Sequence, residues 1–153
     1  MSDQAVTNST CLIVLDRIGQ LDILPKMFST IFAPPAVETE VGLSIAWLTI
    51  QEVSNLSLVS ALQTQLHNGE AYAIALATEI KDSFLILDDK KARRIATQMG
   101  LKVIGTVGIF LRAKQQGIIS LVKPHLDSLQ GVGFHMTDTI YKEALRLAGE
   151  DKT

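Results

Sequence analysis

The amino-acid sequence predicts an α/β protein with a central parallel β-sheet, and two observations lead to this fold class. Short apolar segments of four or five residues alternate with segments of helical spacing along the whole chain. Several of the apolar segments end abruptly at a polar residue, as in "SFLILDD". Because parallel strands need a crossover between them, usually a helix, this alternation predicts a parallel sheet with right-handed connections.

In the first half of the chain, capping and stop signals separate three predicted strands from three predicted helices. Strands are predicted at residues 4–8, 29–35 and 47–53, and helices at residues 9–19, 20–28 and 36–41. A Ser or Thr caps the first helix, and Gly19 ends it. Pro25 begins or kinks the second helix, and a double proline opens the third. The alternation in "WLTIQEV" is consistent with a strand near a sheet edge.

The second half of the chain contains two predicted strands and six predicted helices. Strands are predicted at residues 83–89 and 101–105, and helices at residues 56–69, 70–82, 90–100, 106–119, 122–133 and 136–150. The run "SFLILDD" is the most clearly buried strand. The Ala-rich helix that begins at Glu70 has a strong intrinsic propensity. Gly100 ends the helix before the last strand, and Thr137 or Asp138 caps the final helix.

The composition is that of an ordinary folded domain. The chain has 153 residues, of which 47% are hydrophobic and 20% charged, and it is predicted to form a single domain over residues 1–153. Its apolar runs are shorter than the ~18 residues that a membrane-spanning helix needs. No secretory signal is recognisable, and Cys11 is the single cysteine. These features predict a cytoplasmic protein without an internal disulfide framework.

The charge is distributed unevenly along the chain. Residues 81–123 contain nine basic and three acidic residues, whereas the remainder contains five basic and thirteen acidic residues. A basic region on a mildly acidic protein is able to meet a polyanion. The alternative is a set of ordinary solvated helix faces, and charge alone does not decide between the two.

Four side chains that carry oxygen ligands are predicted at one rim of the sheet. Asp88 follows the strand "FLIL", and Asn8 ends the first strand. Glu40 lies one helical turn past the second strand, and Glu70 begins a helix on its sheet-facing stripe. Carboxylates gathered without Cys or His are a ligand set for Mg²⁺ or Mn²⁺ rather than Zn²⁺. Such a pocket beside basic helices suits metal-assisted cleavage of a phosphodiester.

Each of these acids also has a structural interpretation. Asp89 is an N-cap for the helix that starts at Lys90. Glu70 interacts favourably with the dipole of its own helix, and Glu40 is an ordinary surface acid. The joint placement of the acids, rather than any one of them, therefore carries the prediction of a site.

Other chemistries are disfavoured by the sequence. The histidines have no mutual spacing that suggests a site, and they are His67, His125 and His135. Ser9 lacks the Gly-rich elbow of a serine hydrolase, and Cys11 is expected to face the core. No phosphate-binding or dinucleotide-binding glycine loop is present. A phosphoacceptor domain of the receiver type needs its acidic pair after the first strand, where this chain has Asn8.

Six segments, taken in order, carry a resemblance to a known family. They are "NSTCLIVLDRIGQLDIL", "FAPPAVETEV", "GEAYAIALA", "LILDDKKARRIA", "GLKVIGTVGIFLRAKQQGII" and "GFHMTDTIYKEALRLAGE", which together span residues 8 to 150. These segments resemble the PIN-domain nucleases, and in particular bacterial and archaeal PIN-like nucleic-acid-binding proteins. No single motif is decisive, but the ordered set is specific. The resemblance implies a three-layer α/β/α sandwich around a parallel sheet.

The resemblance also implies a function, a cofactor and a set of site residues. It implies an endoribonuclease that depends on Mg²⁺ or Mn²⁺, with metal ligands at Asn8, Glu40, Glu70 and Asp88. The three acids of this set are the implied catalytic residues. Asn8 stands where the nucleases of this family usually have an aspartate, and Cys11 stands where a proline is common. The alternative is a catalytically weakened PIN-like module that binds nucleic acid or a partner protein without cleavage.

Partners follow from the same resemblance. Many relatives are toxins of toxin–antitoxin pairs, so RNA, single-stranded or structured, and an antitoxin protein are the implied partners. A homodimer is a further expectation, for which "NLSLVSALQTQL" offers an apolar helix face. Lys90, Arg93 and Arg94 form a polar stripe with Thr97, and this stripe is predicted to bind nucleic acid. Ile95 and Met99 are predicted to face the sheet. Thr106 is predicted to act as a helix N-cap, and the alternative that the resemblance implies is that its hydroxyl, near the pocket, orients a water or a ligand.

Overall fold

The structure, a computed structural model, describes residues 3–151. In this part of the chain, five parallel strands form one sheet in the order β3-β2-β1-β4-β5. The strands are β1 (Asp3–Thr7), β2 (Phe28–Ala33), β3 (Leu48–Ile50), β4 (Ser83–Ile86) and β5 (Lys102–Ile104). The predicted parallel sheet and the predicted edge position of the third strand are confirmed. The outermost residues of the predicted domain, 1–2 and 152–153, lie outside the described residues.

Helices connect these strands and cover both faces of the sheet. Within the described residues they are α1 (Ser9–Arg17), α2 (Ile23–Met27), α3 (Pro35–Val41), α4 (Leu56–Gln63), α5 (Asn68–Glu79), α6 (Lys90–Gln98), α7 (Thr106–Gln115), α8 (Lys123–Gly131) and α9 (Asp138–Ala148). Each corresponds to a predicted helix, and most ends differ by a few residues. The predicted end of α4 at residue 69 is wrong, because α4 ends at Gln63 and residues 68–69 begin α5. No described helix is both long enough and apolar enough to cross a lipid bilayer.

Several helix ends follow directly from local sequence chemistry. The Asp89 carboxylate accepts a hydrogen bond from the Ala92 N–H at 2.9 Å, and the Thr137 hydroxyl accepts one from Ile140 N–H. Each bond satisfies an amide that would otherwise lack a partner in the first helical turn. The predicted Ser or Thr cap of the first helix is wrong. Asn8 is the N-cap residue of α1, and its side chain makes no capping hydrogen bond.

Alternating side chains of the central strands enter two separate hydrophobic cores. Ala5 and Ile86 point to the core formed with α1, α2, α7, α8 and α9. Their neighbours Val6 and Leu85 point to the opposite core, formed with α4, α5 and α6. Because successive strand residues face opposite sides, strands buried on both faces appear in the sequence as continuous apolar runs. The predicted three-layer α/β/α sandwich is confirmed.

On α6 the buried face differs from the predicted one. Ala92 and Ala96 are fully buried against the sheet, and Ile95 is half-buried beside them. Met99 is 39% exposed, so its predicted place against the sheet is wrong. The small alanines at i and i+4 let the helix approach the sheet closely, which leaves the longer Met99 at the margin.

The basic residues between Lys81 and Lys123 do not form one continuous surface. Arg112 forms an ion pair with Asp3, and its guanidinium lies over the Phe84 ring. Lys102 lies over the same ring, 4.6 Å from its centroid. Lys114 and Lys123 are paired with Glu150 and Asp127 respectively. The local charge excess seen in the sequence is therefore partly consumed by contacts within the fold.

All five strands run in the same direction, but the side of the sheet on which successive strands are added reverses between β1 and β4. From β1 the chain builds outward through β2 and β3, and it then returns to place β4 on the other side of β1. In open parallel sheets this reversal opens a crevice at the carboxyl ends of the two strands, where ligands bind. Asn8 directly follows β1, and Asp88 lies just beyond β4.

Candidate functional site

An open cleft of about 1020 Å³ lies at the carboxyl edge of the sheet. Its acidic lining residues are Glu70, Asp88 and Asp89, and its basic ones are Arg17, Lys90 and Arg93. One wall is a single face of α1, since Thr10, Ile13, Val14 and Arg17 are spaced i, i+3, i+4 and i+7. The opposite wall includes the turn between α8 and α9. Both signs of charge therefore meet in one cleft.

The Asp88 carboxylate is fixed by the first residue of α7. The Thr106 backbone N–H donates to Asp88 Oδ1 at 2.8 Å, and the Thr106 hydroxyl donates to Oδ2 at 2.6 Å. The amide at a helix N-terminus carries partial positive charge, which favours a carboxylate at this position. Thr106 is fully buried, and the N-cap residue of α7 is Gly105. The predicted capping role of Thr106 is thus wrong, because its hydroxyl holds Asp88 instead.

Asn8 places an unpaired oxygen near the ends of β1 and β4. Its side chain is buried, and Oδ1 has no hydrogen-bond partner among the described residues. Its backbone N–H reaches the carbonyl of Ile86 in the neighbouring strand at 3.4 Å. A buried acceptor without a donor costs free energy, and a hard cation is one group that satisfies such an oxygen. This orphaned amide oxygen fits the metal-ligand role that the resemblance implies.

Glu70 and Asp89 form an acidic pair in the same cleft. Burial first, and then the negative charge of Asp89, raises the pKa of the Glu70 carboxyl above its ordinary value. The backbone N–H of His67 donates to Glu70 Oε1 at 3.3 Å and opposes part of this rise. Two carboxylates that repel one another are relieved by a cation or a proton. Asp89 also caps α6, so its structural interpretation holds alongside its place in the cleft.

Glu40 is a predicted ligand that the structure does not place in the cleft lining. It is exposed on α3 and is not part of the lining of the cleft. Its carboxylate lies against the first turn of α5, because a Cβ atom built on Gly69 would be 3.3 Å from Glu40 Oε1. Glu40 therefore approaches the residue next to Glu70, and Gly69 leaves room for it.

The structure does not assemble the predicted acids into one ligand cluster. Nowhere in residues 3–151 do three or more His, Cys, Asp or Glu side chains lie close enough together to hold a metal ion. Glu70 and Asp88 share the cleft, Asn8 lies at the base of α1, and Glu40 stands apart. The metal-ligand and catalytic roles of these residues remain predictions.

Cys11 lies in the core beneath the cleft. Burial first, and then the negative charge of Asp88, raises the pKa of its thiol to about 12, and a contact with the Thr106 hydroxyl opposes the rise. The thiol is fully buried and remains protonated at neutral pH. The expected core position of Cys11 is confirmed.

Arg93 extends from α6 to the backbone at Gly105. A Cβ atom built on Gly105 would lie 2.5 Å from Arg93 Nη1 and 3.1 Å from Asp88 Oδ1. The guanidinium and the carboxylate therefore flank the same glycine, although they form no salt bridge. Lys90 and Arg93 of the predicted nucleic-acid stripe line the cleft, whereas Arg94 is exposed outside that lining.

Sequence reasoning did not place several cleft residues in the site. Thr10 and Arg17 were detectable from the helical period that begins at Thr10. His135 lies in the turn after α8, where no periodic signal exists. His125 does not line the cleft and stacks on Phe110 at 4.8 Å between ring centroids. Burial lowers the pKa of His125, which is consistent with a packing role.

A family model described as a PIN domain matches residues 4–150 of the chain. This chain belongs to the PIN-domain family. No curated protein and no solved structure matches the chain. Membership confirms the predicted family and gives the chain a nuclease-type fold. PIN domains generally use Mg²⁺ or Mn²⁺, and the family suggests nucleic-acid binding.

Proposed function

We propose that this PIN domain is an endoribonuclease that depends on Mg²⁺ or Mn²⁺ and binds RNA in the cleft between α1, α6 and α9. The observation that supports the proposal most is the pairing of two groups at the reversal of the sheet. Asp88 is held there by two hydrogen bonds from Thr106, and the buried Asn8 Oδ1 lies nearby without a partner. Both features suit a site that receives a hard cation.

The residues divide into cation ligands and phosphate ligands. In this proposal Asn8 and Asp88 hold the cation, Glu70 contributes from the lining of the same cleft, and Glu40 reaches it from outside the lining, past Gly69. The bound divalent cation supplies Lewis acidity and lowers the pKa of a coordinated water. Lys90 and Arg93 hold the RNA backbone, since both line the cleft. Thr106 keeps the Asp88 carboxylate in one orientation, as outer-shell partners of metal ligands do.

The second candidate is a PIN-like module that binds RNA or a partner protein without cleavage. Asn8 favours it, because an amide ligates a cation without contributing a negative charge. The lack of a three-acid cluster within residues 3–151 also favours it. The two candidates share the cleft and the basic ligands, and they differ in whether the cation is bound tightly enough to act.

Substitution of Asn8 separates these candidates. Mn²⁺ binding is measured by calorimetry, and cleavage of an end-labelled single-stranded RNA is followed in the same buffer. We expect Asn8→Asp to bind Mn²⁺ about tenfold more tightly than the wild-type chain, because the site gains one full charge. Detectable cleavage by the wild-type chain supports the nuclease. Cleavage only by Asn8→Asp supports the weakened module, and superimposable Mn²⁺ titrations would show that Asn8 is not a ligand.

The RNA-binding role of the polar stripe of Lys90, Arg93 and Arg94 is tested through the salt dependence of RNA binding. Each phosphate neutralised contributes about 0.7 to the slope of log affinity against log salt for a single strand. We expect Arg93→Ala with Arg94→Ala to weaken binding of a fluorescent RNA and to flatten this slope. The single variants distinguish the two arginines, and Arg93→Ala should produce most of the change because Arg94 lies outside the cleft lining. Unchanged affinity in the double variant at low salt identifies the stripe as an ordinary solvated helix face.

The toxin role belongs to the same proposal. A ribonuclease toxin stops growth when it is expressed without its partner protein. We expect induction of the wild-type chain to arrest a bacterial host, and induction of Asp88→Asn at the same protein level not to. Equal growth with both proteins contradicts the toxin role while leaving RNA cleavage in vitro open to its own test.

A further inference from the structure

We propose that Arg93 is an internal counter-ion of Asp88, and that a divalent cation must displace its guanidinium in order to bind. The inference rests on the cation site of the proposed function. It adds a residue that determines how tightly that site holds a cation.

The geometry brings the two charges together over one backbone residue. The point where a Gly105 side chain would begin is 2.5 Å from Arg93 Nη1 and 3.1 Å from Asp88 Oδ1. Gly105 itself has φ −91° and ψ 174°, which is extended backbone that any residue adopts. The glycine is therefore not needed for its conformational freedom. Its missing side chain provides the space in which the guanidinium approaches the carboxylate.

The hydrogen bonds and ion pairs of Asp88 and Arg93 allow a divalent cation to replace the guanidinium. The hydrogen bonds to Asp88 come from Thr106, a neutral residue, so no cationic side chain among residues 3–151 is directly bonded to this carboxylate. Arg93 forms no salt bridge with any described residue, unlike Arg112 and Arg146, which are each paired with an acid. A guanidinium beside a carboxylate, without a locked ion pair, offsets part of the charge and is still easily moved.

A metal ion and the guanidinium cannot both remain close to Asp88. Two cations at such short range repel each other, and the repulsion is strongest where water is partly excluded. Arg93 is carried by the exposed side of α6 and also lines the cleft, so its side chain is able to turn toward an RNA phosphate. A phosphate that captures Arg93 therefore frees Asp88 for the cation. Because coupling between two ligands is reciprocal, RNA and the cation should each tighten the binding of the other.

Calorimetric titration with Mn²⁺ tests this competition on the full-length chain. We expect Arg93→Gln to bind Mn²⁺ about tenfold more tightly than the wild-type chain, because a competing positive charge has been removed. Arg94→Gln is the matched control: it removes the same charge from the next residue of the same helix, outside the cleft lining. It should leave the affinity within about twofold, since exposed charges are screened. Arg93→Lys keeps the charge and should remain near the wild-type value.

The coupling to RNA provides a second measurement. A short single-stranded RNA, checked on a gel to be intact after the titration, should tighten Mn²⁺ binding by the wild-type chain and have less effect on Arg93→Gln. Equal Mn²⁺ affinities for the wild-type chain and Arg93→Gln overturn the inference, as does an equal gain in Arg94→Gln. Both results leave the proposed nuclease intact. If none of the four proteins binds Mn²⁺, the proposed cation site fails and the inference fails with it.

Discussion

Asp88 and Glu150 are two carboxylates that are held by helix N-termini in very different ways. Glu150 Oε2 accepts hydrogen bonds from the Val122 N–H at 2.7 Å and from Lys114 Nζ at 2.9 Å, and Oε1 accepts one from the Lys123 N–H at 3.0 Å. Its side chain is only 8% exposed. Asp88 accepts two bonds at the start of α7, both from one neutral residue, and it opens onto the cleft.

The difference shows how one local device serves stability in one place and a site in another. Glu150 meets backbone amides at the start of α8 and a bonded lysine, so its charge is fully compensated within the fold. Asp88 has its orientation fixed by a neutral residue, and the nearby Arg93 guanidinium forms no ion pair with it. A carboxylate that is oriented and incompletely compensated is suited to an incoming cation. The comparison predicts that substitutions of the two acids affect different properties.

The largest expected effect is the loss of cation binding in Asp88→Asn. The amide keeps the size of the side chain, and its oxygen and NH₂ group are able to pair with the Thr106 N–H and hydroxyl oxygen. We expect Mn²⁺ affinity to fall more than about 100-fold, beyond the loss typical of outer-shell changes. The melting temperature should change little. A melting temperature that falls together with the affinity would place Asp88 in the same structural class as Glu150 and break the comparison.

Glu150→Gln should have the opposite profile. The NH₂ group of glutamine faces a backbone N–H donor, and the lysine loses its counter-charge. We expect a loss of about 2 kcal/mol in the free energy of unfolding, because hydrogen bonds to charged groups are the stronger ones, discounted for the partial exposure of Lys114. Mn²⁺ affinity should remain unchanged. Asp127→Asn, at an exposed acid paired with Lys123, is the matched control and should cost much less. Urea denaturation of the wild-type chain, Glu150→Gln and Asp127→Asn measures the two losses of stability. Calorimetric titration measures the Mn²⁺ affinity.

Thr106 allows a finer test of the orienting role. Thr106→Val removes the hydroxyl that donates to Asp88 Oδ2 and leaves the backbone donor in place. We expect Mn²⁺ affinity to fall about tenfold, as for other partners that orient a metal ligand. Thr106→Ser retains the hydroxyl and should restore most of the affinity. Equal affinities for the valine and serine variants would mean that the backbone amide alone orients Asp88.

The smallest expected effect is a dependence of stability on pH through Glu150. Burial on its own raises the pKa of this carboxyl, but the amides of Val122 and Lys123, together with Lys114, outweigh it and hold the pKa below its ordinary value of 4.5. The folded protein therefore binds this proton less tightly than the unfolded chain does. The stabilisation is complete above pH 4.5 and is lost as the pH falls through the lowered pKa. The difference in the free energy of unfolding between the wild-type chain and Glu150→Gln should therefore become smaller as the pH falls below 4.5. Urea denaturation at a series of acidic pH values measures it.

The sequence predicted the Asp88 side of this comparison better than the Glu150 side. An apolar run that stops at Asp88 carries its own signal, because strand and site are adjacent in the chain. Glu150 gave no such signal, since its partners lie 27 to 36 residues away and are brought near only by packing. Thr106 was placed at its helix start correctly but given the wrong partner. The Thr106 hydroxyl donates instead to the carboxylate of Asp88, which lies 18 residues earlier and is a stronger acceptor.

The cleft itself was only partly predictable for the same reason. Parallel strands place Asn8 and Asp88 at one edge as a rule of topology, so their common location follows from the alternation of strands and helices. The position of Glu40 outside the cleft lining depends on how α3 lies relative to the start of α5. Hydrophobic periodicity in the sequence does not predict this arrangement. The approach of Arg93 to Asp88 depends on a missing side chain at Gly105, and a glycine before a helix is ordinarily interpreted as part of a turn.

The reversal of the sheet between β1 and β4 also sets the order in which the site is assembled during synthesis. Asn8 leaves the ribosome early, but it has no partner strand on the β4 side until the chain has been made through Ile86. The opposite wall of the cleft, including Phe134 and Thr137, is made later still. Because a domain folds as a unit, a partly synthesised chain holds Asn8 without the groups that face it in the finished cleft. The cleft can therefore form only after nearly all of the described chain has been translated.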